Sequence, residues 1–180
     1  MLNLPEKIVE ITRSLFEGGV PYAIGGALAL AYAIEEPRGT RDIDINVFIS
    51  ADRCEEAFRV LPSGVRWSSA DVTQAKRDDQ VRIWWDETPI DLFFSAHDFH
   101  DEASTRALQQ EFLGSSLYVL APVDLGVFKA LFDRRKDWVD IEAMIESRST
   151  TGREIASHLA LLLGADEPRV KRLLDLDNLS

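Results

Sequence analysis

Apolar residues recur along this chain in two rhythms, every three or four residues in some segments and in short continuous or alternating runs in others. The first rhythm is typical of helices and the second of strands. The predicted helices cover residues 5–17, 27–34, 52–61, 122–129, 133–145 and one or two segments within 151–175, and the predicted strands cover 21–24, 41–49, 81–85, 89–95 and 116–121. This alternation, followed by a helical tail, predicts an α/β or α+β fold with a mixed sheet.

Two of the predicted strands are separated by a short polar turn. VRIWW at 81–85 and PIDLFFS at 89–95 flank Asp86-Glu87-Thr88, an arrangement typical of a β-hairpin. Residues 65–80 are polar and predict no clear element. The hairpin therefore follows a segment whose structure the pattern leaves open.

The composition is that of an ordinary globular protein. The 180 residues are 46% hydrophobic and 28% charged, which excludes a disordered or fibrous chain. This length fits one domain with its own core. We expect that core over residues 1–121, with a small helical region over 122–180 packed on it.

Cysteine content, charge and hydropathy limit the location and the partners. The single cysteine, Cys54, cannot form an internal disulfide, and the N-terminal segment carries charges where a signal peptide is apolar. The longest uncharged stretch, 20–34, has 15 residues, fewer than the roughly 20 that span a bilayer. We therefore expect a cytoplasmic protein with no membrane contact. The net charge of −11 opposes nonspecific binding of nucleic acid, so an RNA partner would require a local basic patch.

Three aspartates interrupt otherwise apolar strands. Asp42 and Asp44 lie two positions apart in RDIDINVFI, so both carboxylates point to one face of the strand, about 6 to 7 Å apart. Asp91 lies between Ile90 and Leu92 in a later predicted strand. A carboxylate in an apolar strand is costly unless a partner compensates it. Carboxylate oxygens are the ligands that Mg²⁺ prefers, so the pattern predicts a site for one or two ions.

The same aspartates also have an ordinary structural interpretation, which the sequence leaves open. Asp42 could be solvated at the start of its strand, Asp44 could pair with Arg38 or Arg41, and Asp91 could lie on an exposed edge. Acidic pairs of this kind are common on protein surfaces.

A pair of glycines precedes the second predicted helix. In Ile24-Gly25-Gly26 the backbone N–H groups and the positive helix end could hold a triphosphate, because glycine allows the phosphates to approach the backbone closely. The alternative is a plain tight turn with no ligand. The Asp-x-Asp strand that follows the glycines favours the phosphate-binding interpretation over the plain turn.

Together these segments resemble a known superfamily. IGGALALAYAIEEPRGTRDIDINVFI, with IDLFF further along, is similar to the signature of the DNA polymerase beta-type nucleotidyltransferases: a hydrophobic residue, Gly-Gly, a helix, Asp-x-Asp on a strand and a later strand aspartate. RGTRDID resembles the AbiEii-like branch, whose motif reads Arg-x-Thr-x-Asp-x-Asp. LAPVDLGVFKALFDRRKDWVDI is similar to the lysine-bearing helix and following acidic helix of that branch. The matches cover about residues 20–145.

The resemblance implies a fold, an activity and a set of site residues. The fold would be a mixed sheet flanked by helices with a small C-terminal helical region, and the activity would be metal-dependent transfer of NMP from an NTP to an acceptor hydroxyl. Asp42, Asp44 and Asp91 would be the catalytic residues and would bind two Mg²⁺ ions. The nucleotide would be bound by Gly25, Gly26, Arg38, Thr40, Arg41 and Lys129, with Asp137 and Asp140 in supporting positions.

The sequence does not identify the acceptor of the NMP group. AbiEii-like relatives include toxins of toxin–antitoxin pairs that modify tRNA, which implies an RNA acceptor and an antitoxin partner. Other short members adenylylate aminoglycoside or lincosamide antibiotics, and a protein side chain is a third acceptor class. A noncatalytic nucleotide-binding regulatory module is the alternative to an enzyme. Convergence of the three carboxylates beside the glycine pair would favour the enzyme.

Overall fold

A computed structural model describes residues 2–177. It contains a mixed sheet, and helices precede, separate and follow its strands along the chain. The strands are β1 (Tyr22–Ile24), β2 (Ile43–Ser50), β3 (Val65–Arg66), β4 (Gln80–Trp85), β5 (Thr88–Ser95), β6 (Leu108–Phe112) and β7 (Ser115–Val119). The helices are α1 (Leu4–Glu17), α2 (Gly26–Ile34), α3 (Cys54–Val60), α4 (Ser69–Asp78), α5 (Asp98–Arg106), α6 (Pro122–Phe132), α7 (Arg135–Glu146), α8 (Gly152–Leu163) and α9 (Pro168–Leu176). The predicted fold class is confirmed.

The strands form one sheet in the order β3-β4-β5-β2-β1-β7-β6. Strand β2 runs parallel to β5 and antiparallel to β1, and β1 runs parallel to β7. The outer pairs β3-β4, β4-β5 and β6-β7 are antiparallel. Strands β2 and β5 are therefore central, and the predicted hairpin is formed by β4 and β5.

Four elements were not expected from the hydrophobic pattern: the short strand β3, helices α4 and α5, and strand β6. Helix α4 buries only Ala75, and it begins with a capping box in which Ser68 and Asp71 bond each other's backbone N–H groups. Helix α5 lies in the charged segment after β5, and β6 is a polar strand at the edge of the sheet. These elements have little or no apolar face of their own, so periodicity alone does not reveal them.

The described residues form two compact units. One contains the residues up to Ala27 together with Gly39–Leu120, which includes the whole sheet. The other contains Leu28–Arg38 and the described residues from Ala121 on. Residues 28–38 thus group with the C-terminal helices rather than with the sheet.

The central strands present two chemically different faces. Ile43, Ile45 and Val47 of β2 are buried, as are alternate residues of β4 and β5. Because side chains alternate along a strand, these residues form one apolar layer and leave Asp44 and Asp91 on the opposite face. The apolar layer fixes the register, since a slip of one residue would exchange the two faces.

A buried lysine connects the first helix to the hairpin. Lys7 of α1 is only 3% exposed, and its Nζ donates to Trp85 O at 2.9 Å and to Thr88 Oγ1 at 3.1 Å. The same ammonium lies 3.1 Å from Asp86 Oδ2. The turn that joins β4 to β5 is therefore held against α1 by a buried cation.

We expect Lys7→Met to destabilise the protein by about 2–3 kcal/mol, because it leaves buried acceptors in the hairpin without a donor. Urea unfolding monitored by circular dichroism would measure the loss. Lys171→Met is the matched control, since its side chain is 62% exposed, and it should change the free energy of unfolding by less than about 0.5 kcal/mol. An equal loss in both variants would show that the Lys7 contacts contribute nothing particular.

None of the helices within residues 2–177 combines the length and the apolar character needed to cross a membrane.

Candidate active site

Three neighbouring strands place charged residues in one row across the sheet. Asp44 of β2 is in register with Asp91 of β5, and Asp91 is in register with Arg82 of β4. Neighbouring strands lie about 4.8 Å apart and residues in register point to the same face. The row therefore carries two carboxylates and one guanidinium side by side.

The three predicted aspartates converge. Carboxylate oxygens of Asp42, Asp44 and Asp91 all lie within 4.8 Å of one another. Strand β2 begins at Ile43, so Asp42 is the residue just before it and not within it as expected. Strand β5 has a neighbour on each side, so Asp91 does not lie on an edge. Among residues 2–177 this is the one group of three ionisable side chains close enough to share a metal ion.

The glycine pair lies directly against this cluster. Gly25 N–H donates to the backbone carbonyl of Asp44 at 2.9 Å. Gly26 begins α2 with φ of +53°, and a Cβ added there would come within 1.8 Å of Asp44 Oδ2. Only glycine satisfies both conditions without strain. The turn therefore brings the backbone close to the Asp44 carboxylate, and binding of phosphate by the glycine pair stays a prediction.

Thr40, two residues before Asp42, orients the Asp42 carboxylate. Thr40 Oγ1 donates to Asp42 Oδ1 at 2.5 Å and accepts from the Asp42 N–H at 3.3 Å. Arg41 is exposed. Thr40 therefore orients the first carboxylate of the cluster, whereas contacts of Thr40 and Arg41 with a nucleotide stay predictions.

Sequence reasoning missed Arg82, the cation of the cluster. Its Nε donates to Asp91 Oδ1 at 2.7 Å and its Nη2 to Asp91 Oδ2 at 2.6 Å, a bidentate pair. The same Nη2 lies 4.0 Å from Asp42 Oδ2. The hydrogen bonds that Arg82 donates to Asp91, and then the charges of Asp91, Asp42 and Asp44, raise the pKa of Arg82 above its already high ordinary value. The cation that pairs with Asp91 thus comes from the hairpin, and no pattern in the sequence indicated this pair.

Comparisons with known proteins agree with this architecture. No protein-family model and no curated protein matches the sequence. Among solved structures, the antibiotic-resistance factor ANT(2'')-Ia matches with a TM-score of 0.62 at 14% identity, over 97% of this chain and 95% of that chain. ANT(2'')-Ia in complex with adenylyl-2''-tobramycin matches with a TM-score of 0.56 at 15% identity, over 93% and 95%. An antigenic nucleotidyltransferase-like protein from Paracoccidioides brasiliensis gives 0.51 at 18% identity, over 94% and 92%.

The chain has the nucleotidyltransferase fold. These identities show likeness of fold, so the AbiEii-like branch stays a prediction. The fold agrees with the superfamily that the Gly-Gly and Asp-x-Asp segments resemble.

The donor set of the cluster suits a divalent cation in a nucleotidyltransferase fold. Three carboxylates offer the hard oxygen ligands that Mg²⁺ takes, and their separation allows them to share ions. The side chains of Asp42 and Asp91 are 39% and 17% exposed, so the carboxylates can be reached from solvent. The residues present therefore fit the predicted metal.

The other predicted nucleotide ligands belong to the second unit. Arg38 is exposed. Lys129 is 7% exposed, and its Nζ lies 2.6 Å from Asp140 Oδ2 and 3.9 Å from Asp137 Oδ1. Asp137 also forms an ion pair with Arg134 at 2.6 Å. The predicted supporting aspartates therefore hold Lys129, and a phosphate contact of this lysine stays a prediction.

We expect Gly26→Ala to destabilise the protein more than Gly19→Ala. Both positions have positive φ, which costs an alanine about 1 kcal/mol or more, but a Cβ at Gly19 meets nothing within 4 Å. The added methyl at Gly26 must displace Asp44, because it would also lie 2.6 Å from Asp44 Cγ and 2.9 Å from Asp44 Cβ. Urea unfolding of the two variants isolates this contact, and equal losses would refute it.

Proposed function

We propose that this protein is a metal-dependent nucleotidyltransferase that transfers NMP from an NTP to the hydroxyl group of a small, amine-bearing acceptor. The observation that carries the proposal is the convergence of the Asp42, Asp44 and Asp91 carboxylates beside Gly25-Gly26. A degenerate, purely regulatory copy of the fold has no need to keep all three charges, since each adds repulsion. The full set supports an enzyme over a noncatalytic module.

The aspartates would hold the metal. Asp42, Asp44 and Asp91 would bind Mg²⁺, which when bound neutralises phosphate charge and activates the attacking oxygen. Thr40 keeps the Asp42 carboxylate in place through its hydroxyl. The protein thereby supplies ligands that are already oriented before the nucleotide arrives.

The glycine pair would position the triphosphate. Gly25 precedes α2 and Gly26 begins it, and the first N–H groups of a helix attract anions. The N–H groups of Gly26 and Ala27, in the first turn of that helix, would donate to phosphate oxygens. Arg41 and Thr40 would add contacts from the segment before β2, and Arg38 and Lys129 are the further proposed phosphate ligands.

The chemical step would be an in-line displacement. The acceptor oxygen forms a bond to the α-phosphorus, the bond from that phosphorus to the bridging oxygen breaks, and pyrophosphate leaves. The hydroxyl proton passes to a carboxylate, for which Asp91 is proposed, or to solvent. In the metal-free protein both oxygens of Asp91 accept hydrogen bonds from Arg82, so this role requires the guanidinium to move away from at least one of them.

Charge supports a small cationic acceptor over RNA. The chain has 31 acidic and 20 basic residues, with a net charge of −11, so it attracts amines and repels a polyanion. ANT(2'')-Ia, whose structure with adenylyl-2''-tobramycin has the same fold, matches over nearly its whole length. An aminoglycoside-like acceptor is therefore proposed, and the RNA acceptor, a protein acceptor and an antitoxin partner stay predictions of the AbiEii-like resemblance.

Labelled transfer would test the activity and the acceptor together. The protein is incubated with Mg²⁺ and each α-³²P-labelled NTP, with aminoglycosides, total RNA or a protein extract as acceptors. We expect label in the aminoglycoside fraction and release of pyrophosphate. Label in RNA or protein alone would keep the enzyme and reject the acceptor class, whereas no label with any acceptor would contradict the proposed activity.

We expect Asp44→Asn to lower transfer by about 10³-fold or more, because it removes a charge on which phosphate stabilisation depends. Its thermal unfolding temperature without metal should equal or slightly exceed that of the wild type, since repulsion within the cluster falls. Asp166→Asn is the control, because it removes a fully exposed carboxylate and should change neither quantity. Wild-type activity in Asp44→Asn would reject the metal assignment.

A further inference from the structure

The side chain of Arg82 uses both oxygens of Asp91. The guanidinium donates to Oδ1 and Oδ2 from separate nitrogens at 2.7 and 2.6 Å. This fork geometry is the strongest form of an arginine–carboxylate pair. One of the three carboxylates expected to bind metal is thus already engaged by a cation of the protein.

The guanidinium also lies close to a second carboxylate. Its Nη2 is 4.0 Å from Asp42 Oδ2, and oxygens of Asp42 and Asp91 belong to the same group within 4.8 Å. Arg82 therefore lies beside the oxygens that an ion at the cluster would contact. A guanidinium and a divalent cation there repel each other and use the same ligands.

Burial shows that Arg82 is held by charge and not by packing. Its side chain is 51% exposed, whereas that of Asp91 is 17% exposed. An arginine stem can turn between partners when its head is in water. Arg82 can therefore leave Asp91 without disturbing the apolar layer on the opposite face of the sheet.

We propose that Arg82 is an internal counter-cation of the cluster, which pairs with Asp91 in the metal-free protein and competes with the metal ion for that carboxylate. This inference rests on the proposed function, because it concerns the same site. Arg82 is accordingly a positioning residue that sets metal affinity. The competition keeps the carboxylates compensated until a cation displaces the guanidinium.

The alternative role for Arg82 makes the opposite prediction. If the guanidinium only orients Asp91 for the metal, as an outer-shell partner does, removing it would weaken metal binding. If it competes, removing it would strengthen binding. The direction of the change in metal affinity therefore decides between the two roles.

Arg66 provides a matched control on the same sheet. Arg66 of β3 is in register with Trp84, which lies two residues from Arg82 on β4, so both arginines project from the same face. Its Nη2 donates to Asp86 O at 3.2 Å. Arg66→Gln removes the same charge as Arg82→Gln but leaves the Arg82–Asp91 pair in place.

The experiment measures Mn²⁺ dissociation constants by calorimetry and by electron paramagnetic resonance, on the full chain without nucleotide. We expect Arg82→Gln to bind Mn²⁺ at least about 10-fold more tightly than the wild type, and Arg66→Gln to stay within about 3-fold. Arg82→Lys keeps the charge without the fork and should fall between the wild type and Arg82→Gln. Equal or weaker binding by Arg82→Gln, or an equal gain in Arg66→Gln, would overturn the proposal.

Thermal unfolding gives a second measurement of metal binding, which can still be made on a variant of reduced stability. In chelator, Arg82→Gln should unfold at a lower temperature than the wild type, because three carboxylates then lack their counter-cation. Added Mg²⁺ should raise its unfolding temperature by more than that of the wild type, since tighter binding stabilises more. A smaller Mg²⁺ response than that of the wild type would count against competition.

The proposed function and this inference fail differently. Labelled transfer by the wild type that is lost in Asp44→Asn supports the function whatever Arg82 does. If Arg82→Gln binds Mn²⁺ more weakly but the wild type still transfers label, only the proposed competition is rejected and the proposed function stands. Mn²⁺ binding that Asp44→Asn leaves unchanged would show that the ion binds elsewhere, and both proposals would fall.

Discussion

Repulsion among three carboxylates on one face of the central sheet is the constraint on which the site depends. Oxygens of Asp42, Asp44 and Asp91 lie within 4.8 Å of one another, a distance at which like charges oppose each other strongly unless something compensates them. Three neighbouring residues contact these carboxylates. Arg82 supplies a positive charge, Thr40 donates a hydrogen bond, and the Gly26 backbone approaches Asp44 more closely than any other residue would allow. A site built this way favours cations and the anions that they carry.

The alternation of side chains lets the sheet carry these charges without a loss of core. On one face of β2 and β5, Ile45, Ile90 and Leu92 are fully buried, and their burial supplies the hydrophobic stabilisation of the central strands. On the other face, Asp44 and Asp91 are only half-buried and keep contact with water. The residues of the candidate site and the residues that stabilise the sheet therefore alternate along the same strands and lie on opposite faces. A substitution on the charged face can change the chemistry while the apolar layer still defines the register.

Much of this organisation was predictable because it follows from short-range patterns. The order of the major elements follows from the hydrophobic pattern, and the shared face of Asp42 and Asp44 follows from their spacing of two residues. Asp91 joins them because β5 pairs with β2 in parallel, a pairing that the hydrophobic pattern does not predict. Arg82 was missed for a specific reason. The expected turn held three residues, which would have paired Arg82 with Leu92, whereas the actual turn of Asp86 and Glu87 pairs Trp85 with Thr88 and hence Arg82 with Asp91. Asp86 makes this tighter turn with φ of +52°. Positive φ is typical of two-residue hairpin turns, but Asp86-Glu87 is not one of the residue pairs, such as Asn-Gly, that predict such a turn.

Lys7, Lys129 and Arg82 each pair with acidic residues but differ in burial, and burial determines what each can do. Lys7 and Lys129 are 3% and 7% exposed, so separating either from its partners would leave a buried charge uncompensated, at a cost of several kcal/mol. Each is accordingly tied to one arrangement of its unit. The side chain of Arg82 is half-exposed, so water can replace Asp91 as its partner when another cation takes the carboxylate. The same kind of ion pair is thus structural in the interior and exchangeable at the site, because the solvent decides whether the partners can separate.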